Sequence, residues 1–349
     1  MRIPNVDLNG TEVGLGQPTY LIAEIGQNHN GDIGVAKKLI DVAVRSGANA
    51  VKFQKRDLDS ELTKEAFDAP YINNNSYGST YGEHRRFLEL SIDQHLELFN
   101  YSKQKNITYF CTPCDIVSVN QLEQIDCPFY KVASRDLSNI PLLERLSKVN
   151  KPIIISTGMA DYDDIERALN VLNKSKDMLL IMQCTSEYPC KFENVNLNVV
   201  KTLENRYGYN VGFSDHTSGV IISAVAPQFG AVIIEKHITL DRTMRGSDHA
   251  GSLEESGLVK LKQYLDAIRL ASGKNEKEKL GDIKKASEKL ERSIVANRLI
   301  LKGEIITEDM LVLKSPGTGL RWHQKESIVG RLAKVDIESD TLITTNEVI

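Results

Sequence analysis

No stretch of the 349-residue chain approaches the roughly 18 consecutive apolar residues that a membrane-spanning helix needs. Residues 1–10 are polar where a secretion signal would be apolar, so the sequence reads as that of a cytosolic protein with no membrane attachment. A basic excess is also missing. The formal charge is −4 and no long lysine or arginine run stands out, so no nucleic-acid partner is expected. Cysteine is scarce. Cys111, Cys114, Cys127, Cys184 and Cys190 make an odd number in a long chain, which predicts reduced thiols rather than a disulfide framework. Cys111 and Cys114 form a CxxC, but no second pair accompanies them and a zinc site is not expected there. With 41% hydrophobic and 26% charged residues, the composition is that of a soluble globular protein with a sizeable core and not of a disordered chain.

What is present is a repeating pattern. Apolar, β-branched runs occur at 20–25, 48–53, 107–111, 129–133, 152–155, 178–182, 211–213 and 231–234. Continuous rather than alternating hydrophobicity belongs to strands covered on both faces, as in a parallel sheet. Helical spacing lies between these runs. Ala36, Leu39, Ile40 and Ala43 share a face behind Asp32 as N-cap, with Gly47 as the stop. Ile165, Ala168, Leu169 and Leu172 repeat the pattern, as do Leu258, Leu261, Leu265 and Ile268 before Gly273. Eight strand-then-helix units predict an α/β fold, a (β/α)₈ TIM barrel, which takes about 250 residues. Residues 57–91, rich in Asn, Tyr and Gly, fit that scheme least and read as a loop over the barrel mouth.

Beyond Gly273 the composition changes. GKNEKEKLGDIKKASEKLER is charged and poor in apolar residues, as a linker helix or an extended tether would be. After it, β-like pieces at 293–296, 311–313 and 332–335 alternate with Gly and acidic turns. The expected organisation is a barrel over 1–275, a linker over 276–291 and a compact module over 292–349, the last too small to carry much core of its own.

In a TIM barrel the C-terminal ends of the strands point into one mouth. Those ends carry Glu24; Lys52 and Gln54; Thr112; Lys131, Ser134 and Asp136; Ser156 and Thr157; Thr185 and Ser186; Ser214, Asp215 and His216; Glu235 and His237. Lys52 and Lys131 offer compact charges to a phosphate and a carboxylate, and Ser134, Ser156 and Ser214 can donate neutral hydrogen bonds. Phosphoenolpyruvate carries both anionic groups. His216 and His237 follow strands that are neighbours in a closed barrel, and imidazole suits Mn, Fe, Co or Zn. Asp215 and Glu235 flank them as partners for the outer ring nitrogens. Segment 243–249 (TMRGSDH) reads as a loop that closes on ligand, with Asp248 either receiving sugar hydroxyls or making an Asx turn. Tyr81, Glu83, His84 and Arg85 either join the mouth or cap the helix that follows.

Several segments in register resemble the N-acetylneuraminate synthase family: AEIGQNHNGD (23–32), VKFQK (51–55), YKVAS (130–134), STGM (156–159), QCTSEYP (183–189), GFSDHT (212–217) and EKHITLDRTMRGSDH (235–249). The resemblance runs through the whole barrel and into the tail, which is similar to the antifreeze-like (SAF) module of that family. It implies a cytoplasmic transferase that forms a carbon–carbon bond in sialic acid biosynthesis. It further implies a divalent cation, Mn²⁺ with Mg²⁺ or Co²⁺ as alternatives, on His216 and His237. Phosphoenolpyruvate would be held by Lys52, Thr112, Lys131, Ser134, Ser156 and Ser214, the sugar by Gln54, Tyr188 and Asp248, and Glu24 would lie by the metal and sugar. The family also implies a domain-swapped homodimer. Two motifs depart from the bacterial pattern. Ser315 stands where many bacterial members place an arginine that reaches the sugar's acetamido group, with Arg321 as a substitute, and Ala133-Ser134-Arg135-Asp136 replaces Gly-Ser-Gly-Glu. In the latter and in YGEHR (81–85) the chain is more similar to the animal enzymes, which accept a 6-phosphorylated sugar.

The implied reaction joins C3 of phosphoenolpyruvate to the open-chain aldehyde of N-acetylmannosamine or its 6-phosphate, with the metal polarising the aldehyde and phosphate leaving by C–O cleavage. The product would be N-acetylneuraminate or its 9-phosphate; a legionaminic or KDN type of acid is the alternative. Asp136 or Glu24 would handle the proton. Two rivals are a Schiff-base aldolase on Lys131 or Lys52, and a non-catalytic carbohydrate binder resting on the tail alone.

Overall fold

The eight apolar runs become eight strands of a closed barrel in the computed structural model, which describes residues 3–278, 281 and 283–349. They are β1 (Tyr20–Gly26), β2 (Ala50–Lys55), β3 (Thr108–Pro113), β4 (Tyr130–Val132), β5 (Ile153–Ser156), β6 (Leu179–Cys184), β7 (Asn210–Asp215) and β8 (Ile233–His237). Every neighbouring pair is parallel, and β8 pairs with β1 to close the ring. β1, β6 and β7 are buried along their whole length, because helices cover one face while inward side chains fill the other. Part of the polar N-terminus (residues 1–2) and part of the charged tether (279, 280 and 282) lie outside the described residues.

The helices form where caps and spacing direct them. Asp32 Oδ1 accepts from Gly34 N (2.6 Å) and Val35 N (3.0 Å) to open the helix Ile33–Arg45, and Gly47 ends the segment at φ +76°. Ala36, Leu39, Ile40 and Ala43 are buried against the barrel. Leu169 of Tyr162–Leu172 and Ile268 of Glu255–Ser272 are only half-buried, whereas the other positions of those two stripes are fully covered. Before the barrel, Val6–Asp7 pairs antiparallel with Glu12–Val13. Asn210 Nδ2 at the start of β7 donates to Pro4 O (2.7 Å), and Asn9 Nδ2 donates to Thr108 Oγ1 at the start of β3 (3.3 Å), so this hairpin is tied to the end opposite the mouth. The five cysteines are free and buried, and among the described residues no helix is long and apolar enough to cross a membrane.

Residues 57–91 correct the sequence reading. The segment is not a plain loop but holds three helices, Leu58–Glu61, Lys64–Asp68 and Tyr81–Leu88. Each is opened by a side-chain cap: Asp57 to Ser60 N, Thr63 to Ala66 N, and a reciprocal Thr80–Glu83 capping box. The longest irregular part is the Asn- and Gly-rich stretch between the second and third helices.

The chain forms two compact units, Met1–Gly273 and Lys274–Ile349. In the second, Ser293–Ala296 pairs antiparallel with Leu311–Lys314. The expected strand at 332–335 is not continuous and makes only the isolated bridges Ile305–Leu332 and Ala333–Val348. Contrary to expectation this unit has its own core, with Ile294, Ile300, Ile306, Met310, Ile328, Ile337 and Ile343 buried together. Within the tether, Ile283–Leu290 is helical.

Candidate active site

Side chains alternate across a strand, so residues two apart share a face. On β2 this turns Lys52 and Gln54 into the barrel, on β7 and its extension Ser214 and His216, and on β8 Glu235 and His237. Strand register brings them to one level. Glu24 stands opposite Lys52 and His237, Gln54 opposite Thr112, and Ser214 between Cys184 and Glu235. These residues, with Lys131, Ser134, Ser156, Tyr188 and Asp248, line a cavity of about 310 Å³.

Glu235 sits at the centre of the charges. Its Oε1 accepts from Lys131 Nζ at 2.6 Å and from Ser214 Oγ at 3.1 Å, and lies 3.0 Å from Lys52 Nζ. Lys52 also reaches Glu24 Oε2 at 3.3 Å. Burial alone would favour the neutral carboxyl, but the two lysines outweigh it and hold Glu235 well below the usual glutamate range. For Lys52 burial opposes the charge, and the carboxylates of Glu235 and Glu24 reverse that and raise it. Lys131 goes the other way: burial lowers it despite Glu235, and the charge of Lys52 adds to the effect. Around this cluster Thr112 Oγ1, Ser156 Oγ, Glu235 Oε2 and His237 Nδ1 are buried with no hydrogen-bond partner among the described residues. Buried polar atoms are almost always paired, so four open ones around one cavity mark a place for a polar ligand.

The two imidazoles have a spacing that suits two ligands of a single ion. Their ring centroids lie 5.7 Å apart, a separation at which one ion with bonds of about 2.0–2.1 Å can reach a nitrogen of each. His216 Nδ1 lies 2.8 Å from Thr185 O, and since a carbonyl only accepts, that nitrogen carries the proton and Nε2 keeps its lone pair. Burial, then His237, lowers His216 to about 3, so the ring is neutral as a ligand must be. His237 Nδ1 is 3.9 Å from Asp248 Oδ2. Among the described residues no group of three or more His, Cys, Asp or Glu is arranged to hold an ion, so any metal here would complete its shell with water or substrate oxygens. The expected outer partners differ from those found: Asp215 faces away and pairs with Lys236, and Glu235 serves the lysines. Asp215 and Lys236 fall on the opposite strand parity to the site residues, which is why neither meets a histidine.

Two glycines keep the site open. At Gly26 (φ +55°) a Cβ would stand 3.1 Å from Glu24 Oε1 and 3.4 Å from Gln54 Nε2, and at Gly158 it would stand 2.6 Å from Ser186 Oγ and 3.0 Å from Ser134 Oγ. Gly158 N donates to Ser134 Oγ at 3.0 Å. The loop carrying Asp248 is anchored by Asn30 Nδ2 to Arg245 O (3.1 Å) and by Tyr77 Oη to the same carbonyl (2.7 Å). Tyr188 places its ring 4.0 Å from that of His216.

Other expected residues lie elsewhere. Asp136 is not in the cavity lining; it sits 3.4 Å from Arg135, and burial raises it above the ordinary aspartate value. Thr157 and Thr185 turn their hydroxyls to the carbonyls of Met182 and Asn194, both at 2.9 Å. Arg321 lies in the C-terminal unit, where its guanidinium is engaged by Glu291, Arg292 O and Gly317 O, and Ser315 Oγ donates to Leu290 O at 3.3 Å. Glu83 caps its helix, His84 Nδ1 accepts from Tyr77 N (3.1 Å), and of that group only Arg85 lines the cavity. The sequence reading missed Arg56, Arg135, Cys184, Gln27 and Met159 in the lining. Arg56 was reachable, since it continues the parity of Lys52 and Gln54 past the end of β2.

Comparison with known proteins places the chain in a family. Residues 39–277 match the NeuB family and residues 291–349 the SAF domain. The chain is 38% identical over 336 residues to the N-acetylneuraminate-9-phosphate synthase of Homo sapiens, covering 96% of this chain and 94% of the relative. It is 39% identical over 329 residues to the N,N'-diacetyllegionaminic acid synthase of Campylobacter jejuni, covering 93% and 98%. The crystal structure of a sialic acid synthetase from Leptospira borgpetersenii superposes with a TM-score of 0.72 at 32% identity, over 81% of this chain and 94% of that one. A barrel with these motifs at its mouth, matched across nearly its whole length, belongs to the NeuB family of sialic acid and related nonulosonic acid synthases, here followed by a SAF domain.

Proposed function

We propose that this chain condenses phosphoenolpyruvate with N-acetylmannosamine or its 6-phosphate and water to give N-acetylneuraminate or its 9-phosphate, releasing phosphate. The observation that carries the reading is one cavity at the barrel mouth in which two lysines converge on a single carboxylate oxygen beside two imidazoles, in a NeuB-family barrel. Lys52 and Lys131 would exchange part of their hold on Glu235 for the phosphate and carboxylate of phosphoenolpyruvate. Thr112, Ser134, Ser156 and Ser214 would donate to the same oxygens. C3 of the enol bonds to the aldehyde carbon of the sugar, whose oxygen takes up a proton; water adds at C2, loses a proton, and phosphate departs with the C–O bond. Glu24, held against Gln54, handles the proton, and Tyr188 and Asp248 orient the sugar. A divalent cation of the manganese class on His216 and His237 would supply Lewis acidity toward the aldehyde oxygen.

Arg85 bears on the choice of sugar. Its Nε donates to Tyr81 Oη (2.8 Å), it lines the cavity, and among the described residues it has no carboxylate within 4.0 Å. A guanidinium at a mouth with no carboxylate partner favours the 6-phosphorylated sugar. The lowered Lys131 favours the Schiff-base reading as the rival. Protein supplied with phosphoenolpyruvate, Mn²⁺ and either sugar should release one phosphate per nonulosonic acid formed, and more efficiently with the phosphorylated sugar. Exhaustive chelation should stop turnover and leave the far-UV circular dichroism unchanged. Turnover that survives chelation, together with borohydride trapping of pyruvate on the protein, would move the assignment to the aldolase.

A further inference from the structure

Arg56 is a buried arginine just past the end of β2, and it lines the cavity without belonging to any group assigned above. Its Nη2 donates to Gln54 Oε1 at 2.5 Å, and Gln54 Nε2 in turn donates to Glu24 Oε1 at 2.9 Å. The guanidinium is fixed from behind. Nη1 donates to Glu89 Oε1 at 3.1 Å, Glu89 Oε2 accepts from Arg56 N at 3.1 Å, and Nε lies 3.5 Å from Glu61 Oε2. The other oxygen of Glu61 holds Arg135 Nη2 at 2.7 Å.

A carboxamide is nearly symmetric in shape but not in chemistry, since one end accepts and the other donates. A guanidinium can only donate and a carboxylate can only accept. Placed between the two, the Gln54 amide has one orientation that satisfies both neighbours, and the flipped one sets oxygen against carboxylate and N–H₂ against guanidinium. We infer that Arg56 is a positioning residue that locks the Gln54 amide toward Glu24, and so orients the pair that receives the sugar. The inference rests on the reading that the sugar binds at Gln54 and Glu24.

A double-mutant cycle tests it. Arg56→Met keeps the bulk and removes the donor, so kcat/KM for the sugar should fall about 10- to 100-fold, the cost of one charge-assisted hydrogen bond, while KM for phosphoenolpyruvate stays within about twofold. Arg56→Lys, which can still donate to Gln54 Oε1, should recover part of the loss. In a Gln54→Ala background, where no amide remains to be oriented, Arg56→Met should add less than about twofold. Because Arg56→Met leaves Glu89 without its main partner, the same cycle is run with Glu89→Gln in all four proteins should the single variant fail to fold. Losses that multiply across the cycle would overturn the inference and make Arg56 a general support of the mouth. Wild-type protein with no turnover on either sugar would instead remove the functional reading beneath it.

Discussion

β8 carries two buried charged side chains one residue apart, and they meet opposite circumstances. Lys236 points away from the barrel axis, where its Nζ pairs with Asp215 Oδ2 at 2.9 Å and donates to Thr217 O at 2.5 Å, while Asp215 also accepts from Thr217 N (2.8 Å) and Ser223 Oγ. Both oxygens of Asp215 and the ammonium of Lys236 are engaged there. Glu235 points inward, where one oxygen serves Lys131, Lys52 and Ser214 and the other has no hydrogen bond among the described residues. Both clusters combine lysine, carboxylate and serine hydroxyl at nearly complete burial. Burial of charge is therefore not what marks a site here. The outward carboxylate spends both oxygens on its own neighbours, as a structural pair must, whereas the inward one leaves an oxygen facing an opening.

The contrast makes unequal demands on stability and activity. Lys236→Met should be the most costly change, because it strands Asp215 without its cation in a closed interior. A loss of about 3–5 kcal/mol is expected in urea unfolding, with most of it recovered by adding Asp215→Leu. A loss below about 1 kcal/mol would erase the distinction between the clusters. Lys131→Ala should do the reverse. Lys52 remains to compensate Glu235, so unfolding should shift little, whereas KM for phosphoenolpyruvate should rise by the equivalent of about 1.5–3 kcal/mol. If KM rose for the sugar alone, the two substrates would have to exchange places in the cavity.

How much of this was readable beforehand follows from what each segment must satisfy. The barrel strands announce themselves because burial on both faces forces continuous runs such as Leu179–Cys184, and the first helix because Asp32 and the 36, 39, 40, 43 spacing act locally. The inward cluster followed from placing polar residues at strand ends. Facing did not, since Asp215 sits beside His216 in sequence but on the other side of the sheet. The helices within 57–91 have 4, 5 and 8 residues, too short for an apolar period to show, and depend on caps instead. The core of the C-terminal unit is assembled from single residues such as Ile300, Ile306, Ile328 and Ile343, carried in by turns, and leaves no periodic trace. The place of Arg56 in the lining follows from strand parity, but its hold on Gln54 rests on the amide facing a carboxylate, which only the structure displays.

The smallest expected effect concerns acid. On the alkaline side the two lysines oppose each other, because the raised Lys52 lends stability that is lost as pH climbs through its folded value, whereas the lowered Lys131 is relieved as pH climbs. On the acid side Glu235 acts without such cancellation. Its folded value is depressed, so its contribution is complete above the unfolded glutamate value near ~4.3 and drains away as pH falls toward the depressed one. Glu235→Gln removes that titration while keeping a side chain able to accept from Lys131. The wild type should therefore lose stability faster than the variant below about pH 4.3, by up to about 1.4 kcal/mol per pH unit, when urea midpoints are compared at matched ionic strength. At neutral pH, where that contribution is complete, the wild type should be the more stable of the two, since a lysine facing an amide is less well compensated than one facing a carboxylate. Parallel acid limbs in the two proteins would mean that the lysines hold the Glu235 charge no better than water does, and the inward cluster would then differ from the outward one in its openings alone and not in its electrostatics.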